Sequence, residues 1–122
     1  TGVAFLKGSV NPYNPKALRA SAGSLFRLPV VAQADPNLLL AAIDHKRISL
    51  YAAVPRAPRT IVDVKLAEKC AIIIGAEGRG VTPSLLDRAI PVRIPTTGVE
   101  SLNAAVAAGV LLYEARRQRG AS

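Results

Sequence analysis

The chain predicts an α/β fold: a mostly parallel sheet with helices on both faces. Three observations point there. Short apolar, β-branched runs alternate with helix-patterned stretches from one end to the other. The run Ala71-Ile-Ile-Ile74 is apolar throughout, as a strand covered on both faces should be. It leads through Gly75-Ala-Glu-Gly-Arg-Gly80 into Thr82-Pro83, a cap followed by proline at a first helical position, so the unit reads strand, glycine loop, helix.

The remaining elements follow in order. Val3-Ala-Phe-Leu6 is the first strand, and Lys7 to Pro15 is a loop dense in turn formers. Asn14-Pro15 starts a helix through Lys16 to Ala22, and Pro29-Val-Val-Ala32 begins a second strand. Asp35-Pro36 opens a helix from Asn37 to about Lys46, with Leu38, Leu39, Ala42 and Ile43 as its apolar face. Ile48 to Val54 is a strand, and Pro55-Arg-Ala-Pro-Arg-Thr60 is a basic, proline-broken loop at its end. Ile61 to Lys69 is a connector with a short helical turn near Leu66. The helix after the glycine loop runs to about Ala89, and Ile90 to Ile94 is a strand whose Pro91 suits an irregular or edge position. Thr97 and Glu100 have capping-box spacing. The last helix runs from about Ser101 to Arg119, with Leu102, Val106, Val110 and Tyr113 on one stripe flanked by Ala105, Gly109 and Leu112.

At 122 residues, half of them hydrophobic, the chain is one domain with ample material for a core. Its apolar runs are too short and too interrupted to span a membrane. It opens at Thr1 and contains no Met, so a fragment is expected, with the domain over residues 1–122 incomplete at its amino end. The net charge of +8 favours a polyanionic partner through phosphate contacts. Aromatic residues make up 4%, thin for a base-stacking platform. One Cys and one His cannot build a structural zinc site or an internal disulfide, so no metal is expected and Cys70 reads as a small buried hydrophobe.

The glycine loop can be a plain turn or a ligand loop. Its order G-x-x-G-x-G is not the dinucleotide fingerprint, and no acid closes a second strand, so a dehydrogenase reading fails. Glu77, a lone acid among the glycines, is a candidate for holding a donor group of a substrate.

Two stretches, Cys70 to Val81 and Ile94-Pro-Thr-Thr-Gly-Val-Glu-Ser-Leu-Asn-Ala-Ala-Val106 leading into Glu114-Ala-Arg-Arg-Gln-Arg119, resemble motifs 2 and 3 of the SpoU (TrmH-like) RNA 2′-O-ribose methyltransferases of the SPOUT superfamily. Lys7-Gly-Ser-Val10 and Arg19 to Pro29 resemble that family's middle region, so the likeness covers nearly the whole chain. The resemblance implies a carboxy-terminal deep trefoil knot that forms an S-adenosylmethionine site, and methyl transfer to a ribose 2′-hydroxyl of tRNA or rRNA. It also implies a homodimer and a cytoplasmic enzyme. On the family pattern Gly75, Ile94 and Leu102 line the donor pocket, and Glu77, Ser101 and Asn103 are catalytic positions. Ser101 and Asn103 would also serve as helix-start hydrogen bonders. Arg27, Arg56 and Arg79 are candidates for holding RNA backbone. The family's motif 1, with the arginine that helps activate the ribose hydroxyl, is absent from this sequence and belongs upstream of Thr1. A second reading is therefore a non-catalytic RNA-binding module that keeps the methyltransferase fold.

Overall fold

The computed structural model describes residues 3–6, 30–75, 81–98 and 102–120. The chain divides into two compact units, Thr1–Ala42 and Ile43–Ser122. The loop expected at 7–15 and the helix expected at 16–22 lie outside the described residues.

In the first unit, β1 (Val3–Leu6) pairs in parallel with β2 (Val30–Ala34). The register slips between Ala4↔Val31 and Leu6↔Ala34, so β2 carries one extra residue there. Gln33, at φ 52° in the left-handed region, lies within that slip. Helix α1 (Pro36–His45) starts where Asp35-Pro36 places it. The Asp35 carboxylate accepts the Asn37 N–H at 2.8 Å, and the Asp35 carbonyl accepts the Leu39 N–H at 3.0 Å. The buried residues of α1 are Leu40 and Ile43, whereas Leu38 is 73% exposed. The expected face was thus rotated, because the unbroken apolar run from Leu38 to Ile43 leaves the helical phase open. Arg47 ends the helix at φ 54°, with its N–H on the Asp44 carbonyl and the Ile48 N–H on that of Ile43. That pair is a Schellman closure without glycine.

In the second unit β3 (Ser49–Ala53) stands between β4 (Cys70–Ile73) and β5 (Ile90–Val92), all parallel. Tyr51 faces Ile72 on one side and Ile90 on the other. Pro91 lies on an edge strand, as its ring demands. The Arg93 N–H bonds the Arg59 carbonyl on the side away from β3, and by alternation the donorless Pro91 nitrogen faces that same outer side.

The connector between β3 and β4 differs from expectation. Its helical turn is a 3₁₀ segment at Ile61–Asp63, not at Leu66. The Asp63 carboxylate decides this by accepting both the Thr60 hydroxyl at 2.9 Å and the Thr60 N–H at 3.3 Å. Helix α2 (Pro83–Leu86) keeps its Thr82-Pro83 start but is a single turn, shorter than expected. Helix α3 (Ala104–Gln118) begins three residues later than expected, capped by Asn103. The Thr97 capping box therefore does not start it.

The packed stripe of α3 is also rotated. Ala107, Leu111, Glu114 and Ala115 are buried, while Val106, Leu112 and Tyr113 are 52%, 64% and 71% exposed. Leu111, fully buried, anchors that face with Ala107 and Ala115, while Ala105 and Gly109 lie outside with the bulkier apolar residues. The core joins Tyr51, Ile61, Val64, Leu66, Val92, Leu111 and Ala115.

Candidate functional site

Three parallel strands deliver their carboxyl ends to one side of the second unit's sheet. In open α/β sheets that side is where ligands bind. Gly75 follows β4 and Ile94 follows β5, and β3 stands between those two strands. Two inter-strand spacings separate the bends, about 10 Å, the width of a flat aromatic base with its contacts. Ile74 and Ile94 both pack against the same core, so each bend is anchored at its root. Gly75 and Ile94 are half-buried. Past Ile94 the chain turns at Gly98, whose φ of 80° suits glycine.

Helix α3 brings the next candidates. Its carboxyl end meets the entrance to β4: the Arg119 guanidinium donates to the Glu68 carbonyl at 3.5 Å. The same end of the helix also reaches Ile61, whose carbonyl accepts Gln118 Nε2 at 3.3 Å. Leu102 is half-buried just before that turn. The Asn103 side-chain oxygen accepts the N–H groups of Ala105 at 2.9 Å and Val106 at 3.3 Å. Asn103 is thus a helix cap, whatever else it does.

Beyond β3 the chain makes a turn over residues 54–57, closed by the Ala57 N–H on the Val54 carbonyl at 3.2 Å. Arg56 is exposed on that turn, at the same end of the sheet as the two bends. Gly75, Ile94 and Arg56 are therefore gathered on one side, and Leu102 and Asn103 lie at the start of α3. Glu77, Ser101, Arg27 and Arg79 lie outside the described residues.

A polar network at the far end of α3 escaped sequence reading. Glu114 is buried, and its carboxylate accepts Arg117 Nε at 2.7 Å and Nη2 at 2.8 Å, with Gln118 Nε2 at 2.8 Å. Hydrogen bonds from Arg117 first and Gln118 second hold the carboxyl down at about 2. The i, i+3, i+4 spacing of Glu114, Arg117 and Gln118 was the available signal.

Cys70 is half-buried, with Sγ 3.7 Å from the Leu66 carbonyl. Burial pushes its thiol up, only partly offset by Arg119, so it stays protonated and is a poor nucleophile. Among the described residues no group of His, Cys, Asp or Glu could hold a metal ion, and no helix is long and apolar enough to cross a membrane.

Known proteins resemble this arrangement closely. The chain is 38% identical to an uncharacterized tRNA/rRNA methyltransferase of Synechocystis sp., over 99% of this chain and 45% of that protein. It is 32% identical to the 23S rRNA (guanosine(2553)-2′-O)-methyltransferase RlmP of Bacillus subtilis, over 89% of this chain and 44% of that one. The crystal structure of the SpoU methyltransferase AviRb from Streptomyces viridochromogenes in complex with the cofactor AdoMet superimposes with a TM-score of 0.92 at 31% identity, covering 99% of this chain and 51% of that one. The chain thus spans about half the length of the curated relatives it matches. With the SpoU rRNA methylase profile matching residues 1–113, and with a parallel α/β sheet that fits solved members, the chain belongs to that family.

Proposed function

We propose that the chain is part of an enzyme that transfers a methyl group from S-adenosylmethionine to a ribose 2′-hydroxyl of tRNA or rRNA. The observation that carries this is the pair of bends at Gly75 and Ile94, flanking β3 at one end of a parallel sheet. An adenosyl group needs apolar walls and peptide groups that read the base edge. Ile74 and Ile94 offer such walls, Gly75 lets the backbone come close, and half-buried Leu102 is proposed to complete the pocket. The residues present therefore fit the donor.

When bound, the donor supplies an electrophilic methyl carbon on a sulfonium centre. The chain's own task is alignment. The ribose hydroxyl must lose its proton as its oxygen bonds the methyl carbon and the carbon–sulfur bond breaks. Glu77, Ser101 and Asn103 are proposed to hold the ribose in line for that step. Arg27, Arg56 and Arg79 are proposed to hold RNA phosphates, in keeping with the net charge of +8.

The finer architecture belongs to the same proposal. A deep trefoil knot would draw α3 through a loop, and its small residues Ala104, Ala107, Ala108 and Gly109 suit a close passage. The exposed side chains of Val106, Leu112 and Tyr113 suit a homodimer contact. The enzyme would work on RNA in the cytoplasm.

Calorimetric titration of the full-length protein with S-adenosylmethionine, followed by a labelled-methyl assay on tRNA and rRNA transcripts, tests the reading. Donor binding with alkali-resistant label in RNA is expected, since a 2′-O-methyl group blocks cleavage at that linkage. Absence of donor binding overturns it. Donor binding without transfer would leave the non-catalytic RNA-binding module.

A further inference from the structure

Arg93 makes three hydrogen bonds to one loop. Its Nε donates to the Ala57 carbonyl at 2.9 Å. Its N–H donates to the Arg59 carbonyl at 2.8 Å, and its carbonyl accepts the Ile61 N–H at 3.0 Å. Thr60 and Arg93 form an isolated parallel bridge. The segment from β3 therefore crosses the carboxyl end of β5 and lies along that strand's outer edge.

The two backbone bonds fix residues 59–61 for any residue at position 93. Only the side chain reaches Ala57, which closes the 54–57 turn and is 4% exposed. Proline at position 55 already restricts that turn. Arg56, between these two pinned residues, is thus presented on a stiff support. A pinned backbone at Arg56 spares the loop entropy an anion would otherwise have to overcome, leaving only the side chain to order.

We infer that Arg93 is a positioning residue for RNA: it braces the 54–57 turn so that Arg56 meets a phosphate of the substrate strand beside the Gly75–Ile94 gap. This rests on the methyl-transfer reading for its choice of RNA as the anion. The partner is a polyanionic strand rather than the donor, whose single carboxylate is outweighed by its ammonium and sulfonium charges.

A double-mutant cycle in the full-length protein tests it, with an in vitro 23S rRNA transcript as the probe. Filter binding across a salt series reads RNA affinity for wild type, Arg56→Ala, Arg93→Met and the double variant. Calorimetry with S-adenosylmethionine reads the donor separately. Each single change should weaken RNA binding several-fold and flatten the salt dependence by about 0.7–0.9 in log–log slope, as loss of one phosphate contact requires. The double variant should be no weaker than Arg56→Ala alone. Donor affinity should hold throughout; melting temperature should hold for Arg56→Ala and fall modestly for Arg93→Met, which orphans the Ala57 carbonyl, and Arg93→Gln, which keeps a shorter N–H donor, should recover part of both losses. Additive losses, a fall in donor affinity alongside RNA affinity, or unchanged RNA binding each overturn the role. The RNA arm does not depend on the donor. A protein that binds transcript but no S-adenosylmethionine sinks methyl transfer, and the cycle still decides Arg93.

Discussion

Gln118 takes the backbone N–H of Leu66 on its side-chain oxygen at 2.7 Å, although the two residues are 52 positions apart. Its amide nitrogen donates at the same time to the Ile61 carbonyl at 3.3 Å. One carboxamide thus brackets both ends of the connector that runs from the 3₁₀ turn to the fully buried Leu66. Gln118→Ala should leave a buried N–H without its partner, at a cost of about 1–3 kcal/mol. Hydrogen exchange at the Leu66 amide should speed up more than exchange in β3.

The Glu114 carboxyl gives a pH signature. It sits at about 2 in the folded chain, below its ordinary 4.5, because Arg117 and Gln118 hydrogen-bond the charged form. A depressed carboxylate contributes stability that is fully present above the unfolded value. That contribution should fade as pH falls from about 4.5 toward 2. Urea titrations of wild type and Glu114→Gln should differ most near neutrality and converge at the acid end.

Asn103 can be tested as cap and as site residue separately. Asn103→Ala should destabilise α3 by about 1 kcal/mol, while Asn103→Asp should keep the cap and the melting temperature. A loss of methyl transfer in the aspartate variant, with stability intact, would assign Asn103 a role at the ribose. Unchanged transfer would leave it a cap alone.

The outward side chains of α3 predict an assembly. Replacing Leu112 and Tyr113, 64% and 71% exposed, with Lys and Ser should leave the circular dichroism unchanged. Sedimentation should show a shift from dimer toward monomer. A protein already monomeric before substitution would remove the case for this face as an interface.

Much of the architecture was readable where local chemistry acts alone. Asp35-Pro36 and Thr82-Pro83 start helices where expected, and the run Ala71-Ile-Ile-Ile74 supplies most of β4 because β-branched residues suit a covered sheet. Pro91 falls on an edge strand for the reason its ring supplies. Failures gather where two local signals compete or where tertiary contact decides. Thr97, Ser101 and Asn103 all read as helix starters, and Asn103 is the residue that caps α3. On α3 the seat of Leu111 in the core sets the inward face, which takes in Ala107 and Ala115 and leaves Val106 and Tyr113 outside. The places of Gly75 and Ile94, just past the ends of β4 and β5, were legible from the apolar runs before them. The Arg93 brace was not, because its partners are backbone carbonyls that no side-chain pattern announces.

An all-parallel arrangement of β3, β4 and β5 also constrains how the polypeptide reaches this shape. Among these three strands no hairpin is available as a local nucleus, and Tyr51 must wait for Ile90 before its second neighbour exists. Leu111, which seals the core, arrives later still. Assembly should therefore be slow and late on the ribosome, with the central strand dependent on chaperone shelter until α3 has emerged.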